Sequence, residues 1–525
     1  MAALDKASVV AVIGSGAMGS GIAQVAAAAG HTVKLYDTRA GAVQKAIADI
    51  AGVYQKLVEK ERMTAADAQA ATARLQAANG LADVAGAALV VEAIVENLDV
   101  KRALFADLEG IVGDACILAT NTSSISVTAI AARLRCPQRL VGMHFFNPVP
   151  LMALVEVISG LATGAAVADT VYDTAIAWGK NPVHAKSTPG FIVNRVARPY
   201  YAEGLRLLNE QAADAATIDA VMREAGGFRM GPFELMDLIG HDVNYSVTQS
   251  VFNAYYNDPR FTPSVIQQEL VNAGFLGRKS GRGFYAYAYG DGAGAPAAQA
   301  EAAQPKPDYV SYSVEPGASG ASSVTDAVLA RFQERGIAVT QRKANEAHGH
   351  AAGHDSAPAF HCNGAAVYLT DGRSATQRAA DNQHPDTVVF DLALDYGKAT
   401  RIAVAAADQC SAAAYKAVVG LFQAAGFAVT KLDDVPGLAV MRTVAMLANE
   451  AADAVNQGVC SAQGADTAML KGVNYPRGPL AWADAVGVER IATVLNNLAA
   501  AYGEDRYRVS PLLRRKQASG ATFHA

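Results

Sequence analysis

Val9-Val-Ala-Val-Ile-Gly14-Ser-Gly16-Ala-Met-Gly19-Ser-Gly21 decides how the first third of the chain folds. The β-branched run 9–13 reads as a short buried strand, the glycines as a tight turn, and the Ala-rich stretch 22–29 as a helix. A lone G-x-G-x-x-G is a weak signal. Here a second strand follows, His31-Thr-Val-Lys-Leu-Tyr36, and it ends in Asp37, which places the glycines in a dinucleotide-binding context. Gly14 permits the turn, Gly16 lets backbone approach a pyrophosphate, and Gly19 lets helix and strand pack closely. The helix start at Ala17 and Met18 offers unpaired N–H groups to the anion. Asp37 would accept hydrogen bonds from ribose hydroxyls and repel a 2′-phosphate, which favours NAD over NADP.

Outward from this unit, residues 39–79 form a polar and apolar helical excursion, too long for a simple crossover, that carries Lys45, Lys56, Lys60 and Arg62. Leu89-Val-Val-Glu-Ala-Ile-Val95 reads as the next strand, with Glu96 at its end and Lys101 opening a helix. Cys116-Ile-Leu-Ala-Thr120 delivers Asn121-Thr-Ser-Ser124 to the same edge, where ligands sit in open α/β sheets. Those hydroxyls are suited to helix capping or to touching a substrate. Val141-Gly-Met-His-Phe-Phe-Asn-Pro-Val-Pro150 then places one histidine, His144, at a strand end before a proline-rich break. Glu156 stands alone in the apolar run Leu154-Val-Glu-Val-Ile158. A buried carboxylate needs a cation or donors, and His144 is the nearest candidate. Such a pair is either a satisfied interior contact or a base with its orienting acid.

Composition narrows the function classes. A net charge of −5 over 525 residues, with no basic run, argues against electrostatic nucleic-acid binding. Five scattered cysteines without C-x-x-C suggest neither a disulfide framework nor a zinc site, and fit a reducing compartment. The first residues run into a strand without a signal or transit pattern, and no apolar run reaches membrane length, so the expected location is cytoplasmic.

Taken together, Gly14 to Gly19 with Asp37, Val91-Glu-Ala-Ile-Val-Glu-Asn97, Asn121 to Ser124, His144-Phe-Phe-Asn-Pro148 with Glu156, and Thr188-Pro-Gly-Phe-Ile-Val-Asn-Arg195 resemble the L-3-hydroxyacyl-CoA dehydrogenases. The resemblance covers residues 7–285. Segments 225–245 and 267–281 look more like the long bacterial kind that acts on 3-hydroxyadipyl-CoA in phenylacetate catabolism. It implies a Rossmann-like α/β NAD-binding domain followed by an all-α domain resembling the 6-phosphogluconate dehydrogenase C-terminal fold. It also implies NAD as cofactor and an acyl-CoA substrate, with no metal. His144 would be the general base for the C3 hydroxyl and Glu156 its orienting acid, stabilising the imidazolium as it forms. Ser123 and Asn194 would bond the substrate oxygens. Glu96 and Lys101 would lie on the nicotinamide ribose side, with Asn121 and Ser123 completing the cofactor set. Lys60, with Lys56, would meet the CoA phosphates.

The expected domains are 1–186 for NAD binding, with the excursion 39–79, then 187–289 for a first helical domain and 290–306 for a linker. A small degenerate α/β domain, 307–434, and a second helical domain, 435–525, complete the chain. The last is a repeat: at a shift of 247 residues Pro189 becomes Pro436, Glu203 becomes Glu450, Asn209 becomes Asn456, Asp219 becomes Asp466 and Asp237 becomes Asp484. Met441 takes the place of Asn194, so the second copy is expected to be non-catalytic. The two copies are expected to meet as an intrachain pseudo-dimer. The small domain lacks a glycine fingerprint, and no second NAD is expected there. His348, His350, His354, His361 and Cys362 suggest a metal by type, but their Gly/Ala-rich spacing reads as a flexible loop. Two other readings remain. One is a 3-hydroxybutyryl-CoA/acetoacetyl-CoA dehydrogenase of short-chain or storage-polymer metabolism; the other is a catalytically silent NAD-binding scaffold.

Overall fold

A computed structural model describes residues 2–287, 296–307, 310–313, 323–342 and 357–524. They divide into two compact units, Met1–Arg195 with Ala454–Asn474, and Val196–Asp453 with Tyr475–Ala525. Among the described residues no helix is long and apolar enough to cross a membrane.

The first unit is built on eight strands: β1 (Val9–Ile13), β2 (Val33–Tyr36), β3 (Leu75–Ala77), β4 (Ala87–Glu92), β5 (Ile117–Thr120), β6 (Leu140–Phe145), β7 (Leu154–Ser159) and β8 (Asn181–Lys186). Their order across the sheet is β3-β2-β1-β4-β5-β6-β7-β8. The apolar runs are buried on both faces, as a sheet covered by helices on each side requires. The excursion resolves into helices Ala42–Glu59 and Ala65–Ala73. Only β6 and β7 run antiparallel within this sheet, and their register sets His144 directly opposite Glu156. Opposed residues of an antiparallel pair project on one face within contact distance, so register alone unites these side chains.

The second unit contains a seven-stranded sheet: β9 (Val310–Ser313), β10 (Val339–Arg342), β11 (Phe360–Cys362), β12 (Ala365–Leu369), β13 (Thr387–Phe390), β14 (Arg401–Ala406) and β15 (Ala428–Lys431), ordered β10-β9-β11-β12-β13-β14-β15. The flexible-loop reading fails at its end, because Phe360–Cys362 pairs with both β12 and β9. The reason is Asn363-Gly364, both at positive φ (47° and 88°), which makes the two-residue turn of a hairpin. His348, His350 and His354 lie outside the described residues. Among the described residues no cluster of metal-ligating side chains occurs.

The described part of the 290–306 linker is held by backbone hydrogen bonds. Gln299 N donates to Thr217 Oγ1 at 2.9 Å, Glu301 N to Val429 O at 2.8 Å and Gln304 N to Gln423 Oε1 at 2.8 Å. The backbone of its described part is thus bonded to the second unit; residues 290–295 lie outside the described ones.

The duplication reaches further back than the sequence reading placed it. β12 to β15 pair parallel, antiparallel and parallel, as β5 to β8 do. The same 247-residue shift carries the Leu154 and Asn181 partners onto Arg401 and Ala428. It also carries His144 onto Asp391 and Glu156 onto Ala403, and Asp391 N donates to Ala403 O at 2.9 Å. The turn that follows is repeated too: Gly190 and Phe191 have φ 74° and 47°, Gly437 and Leu438 77° and 53°.

Candidate active site

The glycine loop needs two of its glycines for space and keeps the third open. A Cβ on Gly14, whose φ is +102°, would lie 2.5 Å from Ala93 O, and one on Gly19 would lie 1.8 Å from Gly14 O. Around Gly16 a Cβ would meet nothing within 4 Å. Gly16 and Ala17 are exposed, Met18 is half-buried, and the helix Ala17–Ala28 carries no side-chain cap. Uncapped amides beside open space fit the pyrophosphate of a dinucleotide.

Asp37 leaves the end of β2 and folds back over this loop. Its Oδ2 accepts from Ser15 N at 2.8 Å and Ser15 Oγ at 2.7 Å. Arg39 adds a fork, Nε to Oδ1 at 3.0 Å and Nη2 to Oδ2 at 2.9 Å, and this guanidinium first of all holds the Asp37 carboxyl well below the usual carboxylate range. Asp37 is thus an ionised acceptor. Asp37→Ala is expected to weaken NAD binding about 10- to 100-fold, the worth of hydrogen bonds to a charged group. It should also narrow the preference over NADP, since Arg39 is left without its carboxylate. Titration of both dinucleotides checks this, and an unmoved NAD/NADP ratio would remove Asp37 from ribose recognition.

At the edge of β4 and β5 a carboxylate organises the 121–124 turn. Glu96 Oε1 accepts from Thr122 Oγ1 at 2.5 Å, from the amides of Ser123 and Ser124, each at 3.1 Å, and from Ser124 Oγ at 3.0 Å. Burial works to raise the Glu96 carboxyl, but Thr122 and Lys101 beside it hold it below its ordinary value. Lys101 is almost fully buried, its ammonium 2.6 Å from Glu92 Oε1 and 3.2 Å from Glu96 Oε2. Its link to the 121–124 turn runs through Glu96. Sequence reading passed over Glu92, a lone acid in an apolar strand that also accepts from Thr120 Oγ1 at 2.7 Å. The signal that singled out Glu156 was equally present there.

His144 and Glu156 meet at 2.7 Å through Nδ1 and Oε2. Glu156 is fully buried, and its Oε1 accepts the amides of Ile192 at 3.1 Å and Val193 at 2.9 Å. With Nδ1–H donated to the carboxylate, Nε2 carries the lone pair that a general base needs. The ring is flanked by Phe146 and Phe191, with centroids 4.5 and 5.9 Å away. Asn121 Oδ1 accepts from Phe145 N at 2.8 Å, tying the 121–124 turn to the histidine strand. Asn194 Nδ2 donates to Ser123 O at 3.3 Å. His144, Glu156, Ser123 and Asn194 thus gather within the first unit, whereas Lys56 and Lys60 are exposed on the excursion.

Residues 9–188 match the 3-hydroxyacyl-CoA dehydrogenase NAD-binding domain. Residues 190–287 and 437–522 both match that family's C-terminal domain. Over 507 residues, 97% of each chain, the sequence is 44% identical to a 3-hydroxyadipyl-CoA dehydrogenase of Escherichia coli (strain K12). The chain belongs to the 3-hydroxyacyl-CoA dehydrogenase family. Residues 367–436 match the 3-hydroxybutyryl-CoA dehydrogenase reduced Rossmann-fold domain, which agrees with the duplicated strands described above. A crystal structure of an E. coli K12 3-hydroxybutyryl-CoA dehydrogenase superposes with TM-score 0.86 at 42% identity, covering 98% of this chain and 100% of that one. The (S)-3-hydroxybutyryl-CoA dehydrogenase of Ralstonia eutropha, at 40% identity and TM-score 0.52, is matched over 99% of its length by 53% of this chain. This member of the 3-hydroxyacyl-CoA dehydrogenase family therefore carries about one half-length relative plus a second, reduced copy.

Proposed function

We propose that the chain oxidises an L-3-hydroxyacyl-CoA to the 3-oxoacyl-CoA with NAD, using His144 as general base. The observation that carries this is the buried His144–Glu156 pair beside Ser123 and Asn194. His144 Nε2 takes the proton of the C3 hydroxyl. Glu156 holds the ring by Nδ1 and stabilises the imidazolium, and it is itself fixed by two amides, so little reorganisation accompanies the proton transfer. Bound NAD supplies the hydride acceptor. Ser123 and Asn194 orient the C3 and thioester oxygens, and the exposed Lys56 and Lys60 offer charge to the CoA phosphates.

Full-length similarity to a 3-hydroxyadipyl-CoA dehydrogenase favours that dicarboxylic thioester, while the likeness to a 3-hydroxybutyryl-CoA dehydrogenase structure favours the short-chain reading. Comparing kcat/KM for 3-hydroxybutyryl-, medium-chain and 3-hydroxyadipyl-CoA separates them. The highest value is expected for 3-hydroxyadipyl-CoA; a higher one for 3-hydroxybutyryl-CoA would transfer the assignment.

The two helical copies form an intrachain pseudo-dimer in this reading. Within the second unit Arg442 is fully buried, 2.6 Å from Glu203 and 3.1 Å from Glu210, and it donates to Tyr502 and Tyr507 at 2.9 and 3.0 Å. Burial works to raise Glu203, but Arg442, Arg506 and Arg206 hold it below its ordinary value. Its contribution to stability is then complete above the usual carboxylate range and is lost as pH falls through the lowered value.

A further inference from the structure

The helix Ala462–Gly472 comes from the second helical copy, yet it packs on β7 and β8 in the first unit. Three contacts seat it there. Val459 O accepts from Lys186 N at 2.9 Å, and Gln457 Oε1 accepts from Arg195 Nη1 at 2.9 Å. A Cβ on Gly472 would lie 2.5 Å from Leu154 Cδ2 and 3.1 Å from Val193 Cγ2. Leu154 is two residues before Glu156 on the same strand, and Val193 gives Glu156 an amide. The helix therefore abuts both elements that hold the orienting carboxylate.

The other half of the molecule repeats the arrangement without the chemistry. The first copy's counterpart helix, Ala215–Glu224, packs on β14, the counterpart of β7. Arg442 Nη1 donates to Glu210 Oε2 at 3.1 Å where Arg195 donates to Gln457. Ala225 stands in the place of Gly472, and the residue opposite is Arg401 instead of Leu154. Arg401 turns to Glu224 at 3.0 Å and to Thr430 at 2.6 Å. In that half Asp391 itself accepts the turn amides of Ala439, Val440 and Met441 at 2.9, 2.7 and 2.9 Å, with no histidine to orient. The absence of a side chain at Gly472, where Leu154 and Val193 fill the space a Cβ would need, thus goes with the sheet that carries His144.

We propose that Gly472 is a positioning residue for the reaction, its missing side chain letting the second helical copy seat against Leu154 and Val193 and so set the Glu156 carboxylate on His144. This rests on the assignment of His144 and Glu156 made under the proposed function. In the full chain Gly472→Ala is expected to lower kcat about 10-fold or more, because small misplacements of catalytic groups are costly, while NAD affinity stays within about two-fold. Leu154→Ala removes the Cδ2, the severest clash, and leaves Leu154 Cβ 3.7 Å from the new methyl, an ordinary contact, with the freed space letting the helix ease off Val193 Cγ2 at 3.1 Å. The double variant Gly472→Ala/Leu154→Ala should therefore recover kcat to within about three-fold of Leu154→Ala alone. Unchanged kcat in Gly472→Ala, or a double variant as impaired as Gly472→Ala, would overturn the proposal. If Gly472→Ala does not fold, the double variant decides: soluble, active protein supports the steric role, and failure overturns it. A wild-type chain inactive on every 3-hydroxyacyl-CoA would overturn the catalytic assignment and this inference with it, whereas an active wild type with an unimpaired Gly472→Ala removes the inference alone.

Discussion

His144→Gln is expected to lose roughly 10²- to 10⁴-fold in kcat, the usual worth of a positioned general base. Glutamine can still bond the Glu156 carboxylate through its amide, so the strand register and the buried acid keep a partner. It has no basic nitrogen to receive the hydroxyl proton. The main NAD contacts proposed, the Gly14 to Gly19 loop and Asp37, are not bonded to the His144 ring, so the dissociation constant for NAD should remain within about two-fold of wild type. Single-turnover rates with dinucleotide titration separate the two effects. Retained turnover would remove His144 from proton transfer.

Truncation after Tyr287 is expected to abolish the soluble monomer. The fragment keeps the NAD-binding sheet and the first helical copy but loses residues 454–474, whose Ala465, Ala468 and Met469 are buried. β7 and β8, next to the site, are then bare of that helix. The same cut removes Arg442 and Tyr507, which hydrogen-bond Glu203, and Tyr502 beside them. The newly exposed apolar surface leaves aggregation or pairing of two fragments as the outcomes. Light scattering and activity on residues 1–287 test this. A soluble, fully active monomer would show that the second copy covers nothing the first requires.

Local patterns carried much of this into the sequence. The glycine loop, Asp37 and the strand of His144 are each defined by neighbours within a few residues, and lone polar residues in apolar strands disclosed the His144–Glu156 pair. Glu92 bears the same mark, and its partners, Lys101 and Thr120, lie 9 and 28 residues away on other elements. Asn363-Gly364 is a strong hairpin signal that a histidine-rich neighbourhood obscured. The repeat was visible from Pro436, where helix residues are retained. Its strands were not, because Asp391 and Ala403 replace the pair that identifies the first copy. That helix 462–472 packs behind β7 depends on tertiary contacts between residues some 300 apart, which no local period encodes.

The most direct test of the central claim is NADH absorbance on mixing the full-length chain with a 3-oxoacyl-CoA such as acetoacetyl-CoA. NADH should be consumed in proportion to thioester, and the His144→Gln chain should consume it roughly 10²- to 10⁴-fold more slowly. NADH left unoxidised by short-, medium-chain and dicarboxylic 3-oxoacyl-CoA alike would contradict the dehydrogenase assignment and leave a silent NAD-binding scaffold in its place.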